Sequence, residues 1–173
     1  MLEALVLVVF PFCMVYSAVS DVLSMTIANR VPLLLLGVFL VVAPLAGMAW
    51  TDIGMHLAAG ALMLSITFAM FALGGMGGGD AKLIAATAVW MGLGMPLMQY
   101  LLTSAIFGGM LTLAILSFRS SALSHITSQN MFLRNFCKEA GGVPYGIALG
   151  IGGLVTYPNS PLMVWAVERL TGQ

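Results

Sequence analysis

The sequence predicts an all-α fold, a polytopic transmembrane bundle of about six spans with a glycine-rich loop before the fourth. Three observations carry this. The 173-residue chain is 61% hydrophobic, and only 7% of it is charged, against about 25% in an ordinary soluble domain. Its mean hydropathy is +1.07, more apolar surface than a single soluble core of this length can hide. Polar stretches cut the apolar sequence into runs near the length that crosses a bilayer, about 20 residues with roughly 17–25 tolerated.

The first run extends from Leu2 to Ser20, with Pro11 as a kink point. It opens on Glu3 rather than a basic segment and has no small-residue cleavage signal near Ser17–Ser20, so it is read as a retained span. The second run is Val31–Trp50, the third Leu57–Leu73, the fourth the short Ala81–Met95, the fifth Leu97–Phe118, and the sixth runs from Val143 to the Tyr157-Pro158 break. Residues 161–171 are too short and too polar at their end to span; Leu162, Met163, Trp165, Ala166 and Leu170 give them an apolar side, which suits a surface-lying helix. Residues 119–142 form a polar loop too small to fold alone, so residues 1–173 are treated as one domain.

Charge sets the expected orientation. Arg30, Lys82, Arg119, Arg134 and Lys138 all follow odd-numbered spans, and only Arg169 breaks the pattern. The excess of basic residues assigns those loops to the cytoplasm and puts both termini outside. Trp50, Tyr100 and Tyr157 then fall at outer span ends, as an aromatic belt would. Six basic and six acidic residues cancel, leaving no basic face for nucleic acid. Cys13 and Cys137 make no pair or metal-ligand spacing, and His56 and His125 are isolated in different loops, so neither a metal nor a cofactor is expected.

In this charge-poor chain two carboxylates stand out. Asp21 lies where the first span stops, and Asp80 ends the run Gly74-Gly75-Met76-Gly77-Gly78-Gly79-Asp80. The topology brings both to the cytoplasmic face and sends Asp52 to the other. A carboxylate beside a hydrophobic span is costly and marks a candidate functional site; two on one face suit acid–base chemistry. The plain alternatives are an N-cap role for Asp80 and an Asp21–Arg30 pair. The glycines disfavour a continuous helix and match neither a phosphate-binding loop nor a dinucleotide fingerprint.

Gly77-Gly78-Gly79-Asp80 resembles the GxGD signature of intramembrane aspartyl proteases, and Asp80-Ala81-Lys82-Leu83 extends it as in type IV prepilin peptidases. Ser20-Asp21 with Ile27-Ala28-Asn29-Arg30 resembles that family's first aspartate region, and Val143-Pro144-Tyr145-Gly146 its PYG segment. The resemblance implies an aspartic endopeptidase with Asp21 and Asp80 catalytic. Gly77, Gly78, Gly79, Lys82, Asn29, Pro144, Tyr145 and Gly146 become supporting or substrate-binding residues. Lys82 would favour an ionised Asp80, and Tyr145 would serve as a hydrogen-bonding group or an interfacial anchor.

The chain lacks the cysteine-paired amino-terminal loop of the larger, methylating prepilin peptidases. It is similar to the short form that processes Flp-type prepilins, which implies cleavage without N-methylation. The implied partners are a prepilin with a basic leader and hydrophobic helix, and membrane lipid. The implied location is the bacterial inner membrane, with the site on its cytoplasmic face. Preflagellin peptidases share the layout. A proton- or cation-coupled transporter with a broken helix and a non-catalytic membrane scaffold are the competing classes.

Overall fold

A computed structural model describes residues 1–120 and 142–172. Most of the expected polar loop, with His125, Arg134, Cys137 and Lys138, lies outside the described residues. The described residues form seven α-helices and no strand: α1 Leu2–Ser24, α2 Arg30–Leu45, α3 Trp50–Ala72, α4 Gly78–Met91, α5 Met95–Arg119, α6 Gly146–Thr156 and α7 Pro161–Thr171, with a 3-10 turn at Tyr157–Asn159 before α7. This is the all-α bundle of a membrane protein. Helices α1, α3 and α5 are each long and apolar enough to cross a membrane, and α6 with α7, bent by 50° at the break between them, make a fourth candidate if taken as one span.

The helix order is roughly compatible with six spans, and the expected second and fourth exist as short helices. At 16 and 14 residues they reach only about 24 and 21 Å, against a hydrocarbon thickness of about 30 Å. For α4 the reason lies in its surroundings. It packs against α2, α3, α5 and α6, and every residue from Leu83 to Met91 is buried, so its solvent is protein rather than lipid.

The second and third elements also shift along the sequence. Helix α2 ends at Leu45, just after Pro44, and Gly47 takes a positive φ of 84° to reverse the chain. Helix α3 then starts at Trp50, with Asp52 in its first turn, where a negative charge suits the helix dipole. His56, expected in a loop, is therefore inside α3. It is buried, with Nδ1 2.7 Å from the Val89 carbonyl oxygen and its ring stacked on Phe39.

Two of the three expected belt aromatics are core residues. Tyr100 and Tyr157 are 0% and 2% exposed, whereas Trp50 is 78% exposed. Tyr157 stacks on Phe10 at 4.0 Å, donates to the Val6 carbonyl at 2.6 Å and meets Trp90 edge-on. Trp90 in turn donates to the Leu35 carbonyl at 3.0 Å. The polar tips of Tyr157 and Trp90 have thus found buried partners, as large amphipathic rings require.

This aromatic cluster fixes how α1 and α4 lie together. Phe10 contacts Trp90, and four residues further along α1 Met14 meets Thr87, three residues earlier on α4. The two helices therefore run antiparallel. Asp21 is seven residues beyond Met14 and Asp80 seven residues before Thr87. Seven residues is close to two full turns, about 10.5 Å of rise. Both aspartates thus return to the contact face, at the same height.

Candidate active site

Asp21 lies in the last turn of α1 and is 6% exposed. Its Oδ2 accepts a 2.7 Å hydrogen bond from the backbone N–H of Gly146, at the start of α6. A Cβ at Gly146 would sit 2.7 Å from the Asp21 Cβ and 2.9 Å from Oδ2, so only glycine lets the backbone come this close. One turn on, a Cβ at Gly150 would sit 2.9 Å from the Met14 carbonyl oxygen. The Gly146-x-x-x-Gly150 pair thus seats α6 on α1, as small residues do between membrane helices.

The chain leaves α1 through a left-handed residue, Met25 (φ 53°), whose N–H bonds the Asp21 carbonyl oxygen at 2.8 Å. Hydroxyls tie this turn together. Ser20 donates to the Thr26 carbonyl at 2.9 Å, Ser24 to the Ser20 carbonyl at 2.7 Å, and the Ser24 and Thr26 hydroxyls are 2.8 Å apart. The turn delivers Ile27, buried, against the first turn of α4. A Cβ at Gly79 would stand 3.1 Å from the Ile27 Cβ and 3.2 Å from its backbone nitrogen. Gly79 is therefore where the Asp21 segment and the Asp80 helix touch.

The glycine run is divided, not a single loop. Gly74 (φ 77°) ends the turn after α3, Gly77 is the N-cap of α4, and Gly78 and Gly79 are already helical. The run does interrupt the helix between α3 and α4, but its last two glycines already belong to the first turn of α4. In a first helical turn their N–H groups need no intrahelical partner, and close packing against Ile27 and the Phe71 ring, 3.2 Å from where a Gly78 Cβ would be, offsets the entropy they cost. Asp80 is consequently the third residue of the helix and not its cap. Its half-buried carboxylate turns back to the Gly77 backbone N–H, in the manner of a capping box, and lies within electrostatic reach of Asp21.

The other expected residues surround this pair at different distances. Lys82 Nζ donates to Asn29 Oδ1 at 2.8 Å, joining the start of α2 to the start of α4. Lys82 therefore faces Asn29 and a cavity of about 510 Å³ that extends between Leu33, Leu36, Leu57 and Leu64. Pro144 is buried, and its carbonyl accepts from Ile147 at 3.3 Å. Tyr145 is 43% exposed and leans on α5, its hydroxyl 3.2 Å from that of Thr112 and its ring against Gly108. The structure thus brings Asp21, Asp80, Gly77, Gly79 and Gly146 together. It sets Asn29 and Lys82 to one side and turns Tyr145 outward.

Sequence reasoning missed the Ser20–Ser24–Thr26 knot and the positive φ at Met25, and no spacing signalled either. Among the described residues no three His, Cys, Asp or Glu side chains gather as metal ligands. What the arrangement can do chemically follows from two carboxyl groups facing each other at the end of a bundle. Two carboxyl groups brought close in this way can offer an acid and a base together, if they share one proton.

Comparison with known proteins gives one finding on which the geometry bears. No curated protein and no solved structure matches the chain. A family model described as the type IV leader peptidase family matches residues 8–115, a stretch that includes both aspartates and the whole α1–α4 contact but stops before Pro144-Tyr145-Gly146. With more than half of its length matched, the chain belongs to the type IV leader peptidase family.

Proposed function

We propose that this leader peptidase is an aspartic endopeptidase whose catalytic groups are Asp21 and Asp80, and that it removes the leader of Flp-like type IV prepilins without N-methylation. One observation supports the reading: with Met14 against Thr87, Asp21 and Asp80 each lie seven residues from that contact on antiparallel helices, and Asp80 is within electrostatic reach of Asp21. In the reaction, the ionised aspartate takes a proton from water as the water oxygen attacks the scissile carbonyl. The neutral aspartate donates a hydrogen bond to the developing oxyanion. The tetrahedral intermediate then loses the amine, which leaves with a proton from the pair.

The glycine turn supports substrate entry. A helical substrate hides its carbonyls in hydrogen bonds, so the cleaved segment must be extended when it meets the pair. The hinge at Gly74–Gly77 can shift to admit it, with Asn29 and Lys82 beside the path and Pro144-Tyr145-Gly146 holding Asp21 from behind. The charge pattern of the loops assigns the site to the cytoplasmic side of a bacterial inner membrane, where a basic leader would lie.

The test is incubation of purified protein in detergent with a short Flp-type prepilin, followed by mass measurement of the mature product. The expected product starts at the cleavage point with a free, unmodified amine. A product heavier by one methyl group in the presence of a methyl donor contradicts the short-form reading. Absence of cleavage across several prepilins contradicts the substrate class.

A further inference from the structure

Beneath the aspartate pair lies a second polar set that the proposed chemistry does not use. Ser17 is one turn from Asp21 on the same face of α1, and Thr87 two turns from Asp80 on α4. From α5 come Tyr100 and Ser104, one turn apart. The Tyr100 hydroxyl approaches those of Thr87 and Ser104 and lies within electrostatic reach of Asp80. Gly152 of α6 leaves the room that the Ser104 hydroxyl occupies. Ser17, Thr87 and Tyr100 are 0% exposed and Ser104 is 7% exposed.

The hydrogen bonding of this set is incomplete. Among the described residues the Thr87 hydroxyl bonds the Met14 sulfur alone, at 4.0 Å. The approaches among Tyr100, Thr87 and Ser104 close into no hydrogen bond of ordinary length and angle, and among the described residues the Ser17, Tyr100 and Ser104 oxygens have no partner. Buried hydroxyls without partners are rare because desolvation is left uncompensated. Tyr100 and Ser104, which approach one another, and Ser17 on the Asp21 face of α1 together offer the two to four polar contacts that an internal water needs.

We propose that Ser17, Tyr100 and Ser104 bind internal water between α1, α4, α5 and α6, and that this site stores the water consumed at the aspartate pair. The second half of this rests on the aspartic peptidase reading. Its logic is access. A bound substrate would cover the open end of the site, and water held below the pair would stay beside it.

Two variants and one labelling measurement test this, with Ser160→Ala as control. Ser160 is also buried and unpartnered, but it lies beyond the far end of α6, 14 residues and about 21 Å of rise from Gly146. Brief hydroxyl-radical labelling of the whole protein, without substrate, should oxidise Met14 and Tyr100 despite their burial, because radicals form from adjacent bound water. The double variant Ser17→Ala, Ser104→Ala should lose that labelling. Tyr100→Phe should lower the melting midpoint and slow single-turnover cleavage about tenfold, the equivalent of one hydrogen bond, with KM unchanged, while Ser160→Ala leaves cleavage unaltered.

Unlabelled Met14 and Tyr100, or a midpoint raised by Tyr100→Phe, as deletion of an unsatisfied hydroxyl would give, overturns the site. Labelling as expected with full-speed cleavage by both variants overturns the storage role. Labelling needs no substrate, so failure of the wild-type protein to cleave any prepilin counts against the peptidase reading alone.

Discussion

Asp21→Asn and Asp80→Asn will each abolish leader cleavage while leaving the protein folded. Asparagine keeps the size and can still bond the neighbouring backbone group, Gly146 N–H for residue 21 and Gly77 N–H for residue 80. What it cannot do is share a proton. Positioned acid–base groups contribute about 10²–10⁴-fold each, and groups that act as a unit fail together. The expected loss is therefore on the order of 10³-fold or more for either single variant, with little further loss in the double. The check is single-turnover cleavage alongside the melting midpoint. Residual activity within about tenfold of wild type in either variant would mean that one carboxylate suffices and that the pair is not the catalyst.

The second large effect is expected at a residue that makes no contact with substrate in the proposed mechanism. Gly146→Ala should cut cleavage by about 100-fold, the cost of moving a catalytic group by about 1 Å. The added methyl would have to occupy a point 2.7 Å from the Asp21 Cβ. Relief requires α6 to back away from α1, which breaks the 2.7 Å bond to Asp21 Oδ2 and frees the carboxylate to turn from Asp80. The comparison variant is Gly109→Ala, where a Cβ meets nothing within 4 Å. It should leave the rate unaltered, and helix propensity there should rise. A Gly146→Ala protein that cleaves at the wild-type rate would show that the α6 backbone does not position Asp21.

Much of the site can be read from residue types, because charge is conspicuous where charge is scarce. Asp21 and Asp80 stand out in a chain that is 7% charged, and a six-span reading puts them on one side. Gly146 is visible as part of a small-residue pair. Other features carry no such mark. Tyr100 and Tyr157 look like belt aromatics because hydropathy does not distinguish a ring that faces lipid from one that faces protein. The same limit hides the shortness of α4, whose apolar surface meets neighbouring helices. His56 is polar by type, so it is easily assigned to a loop, yet one bond to the Val89 carbonyl lets it sit in the core. Ser17 and Ser104 are ordinary residues for membrane helices, and only the packing shows them buried without partners.

The level placement of the two aspartates rests on helix register, and register can be measured without knowing any substrate. The measurement is cross-linking in native membranes of a variant carrying Asp21→Cys and Asp80→Cys, with Cys13→Ala and Cys137→Ala to remove the native thiols. A short bifunctional thiol reagent should link the pair rapidly, whereas a control with Asp21→Cys and Asp52→Cys should not link, since Asp52 begins α3 at the opposite end from Asp80. Rapid linkage of 21 to 80 alone is the predicted result. Efficient single labelling at both positions with no linkage would contradict the account, because carboxylates that far apart cannot share a proton.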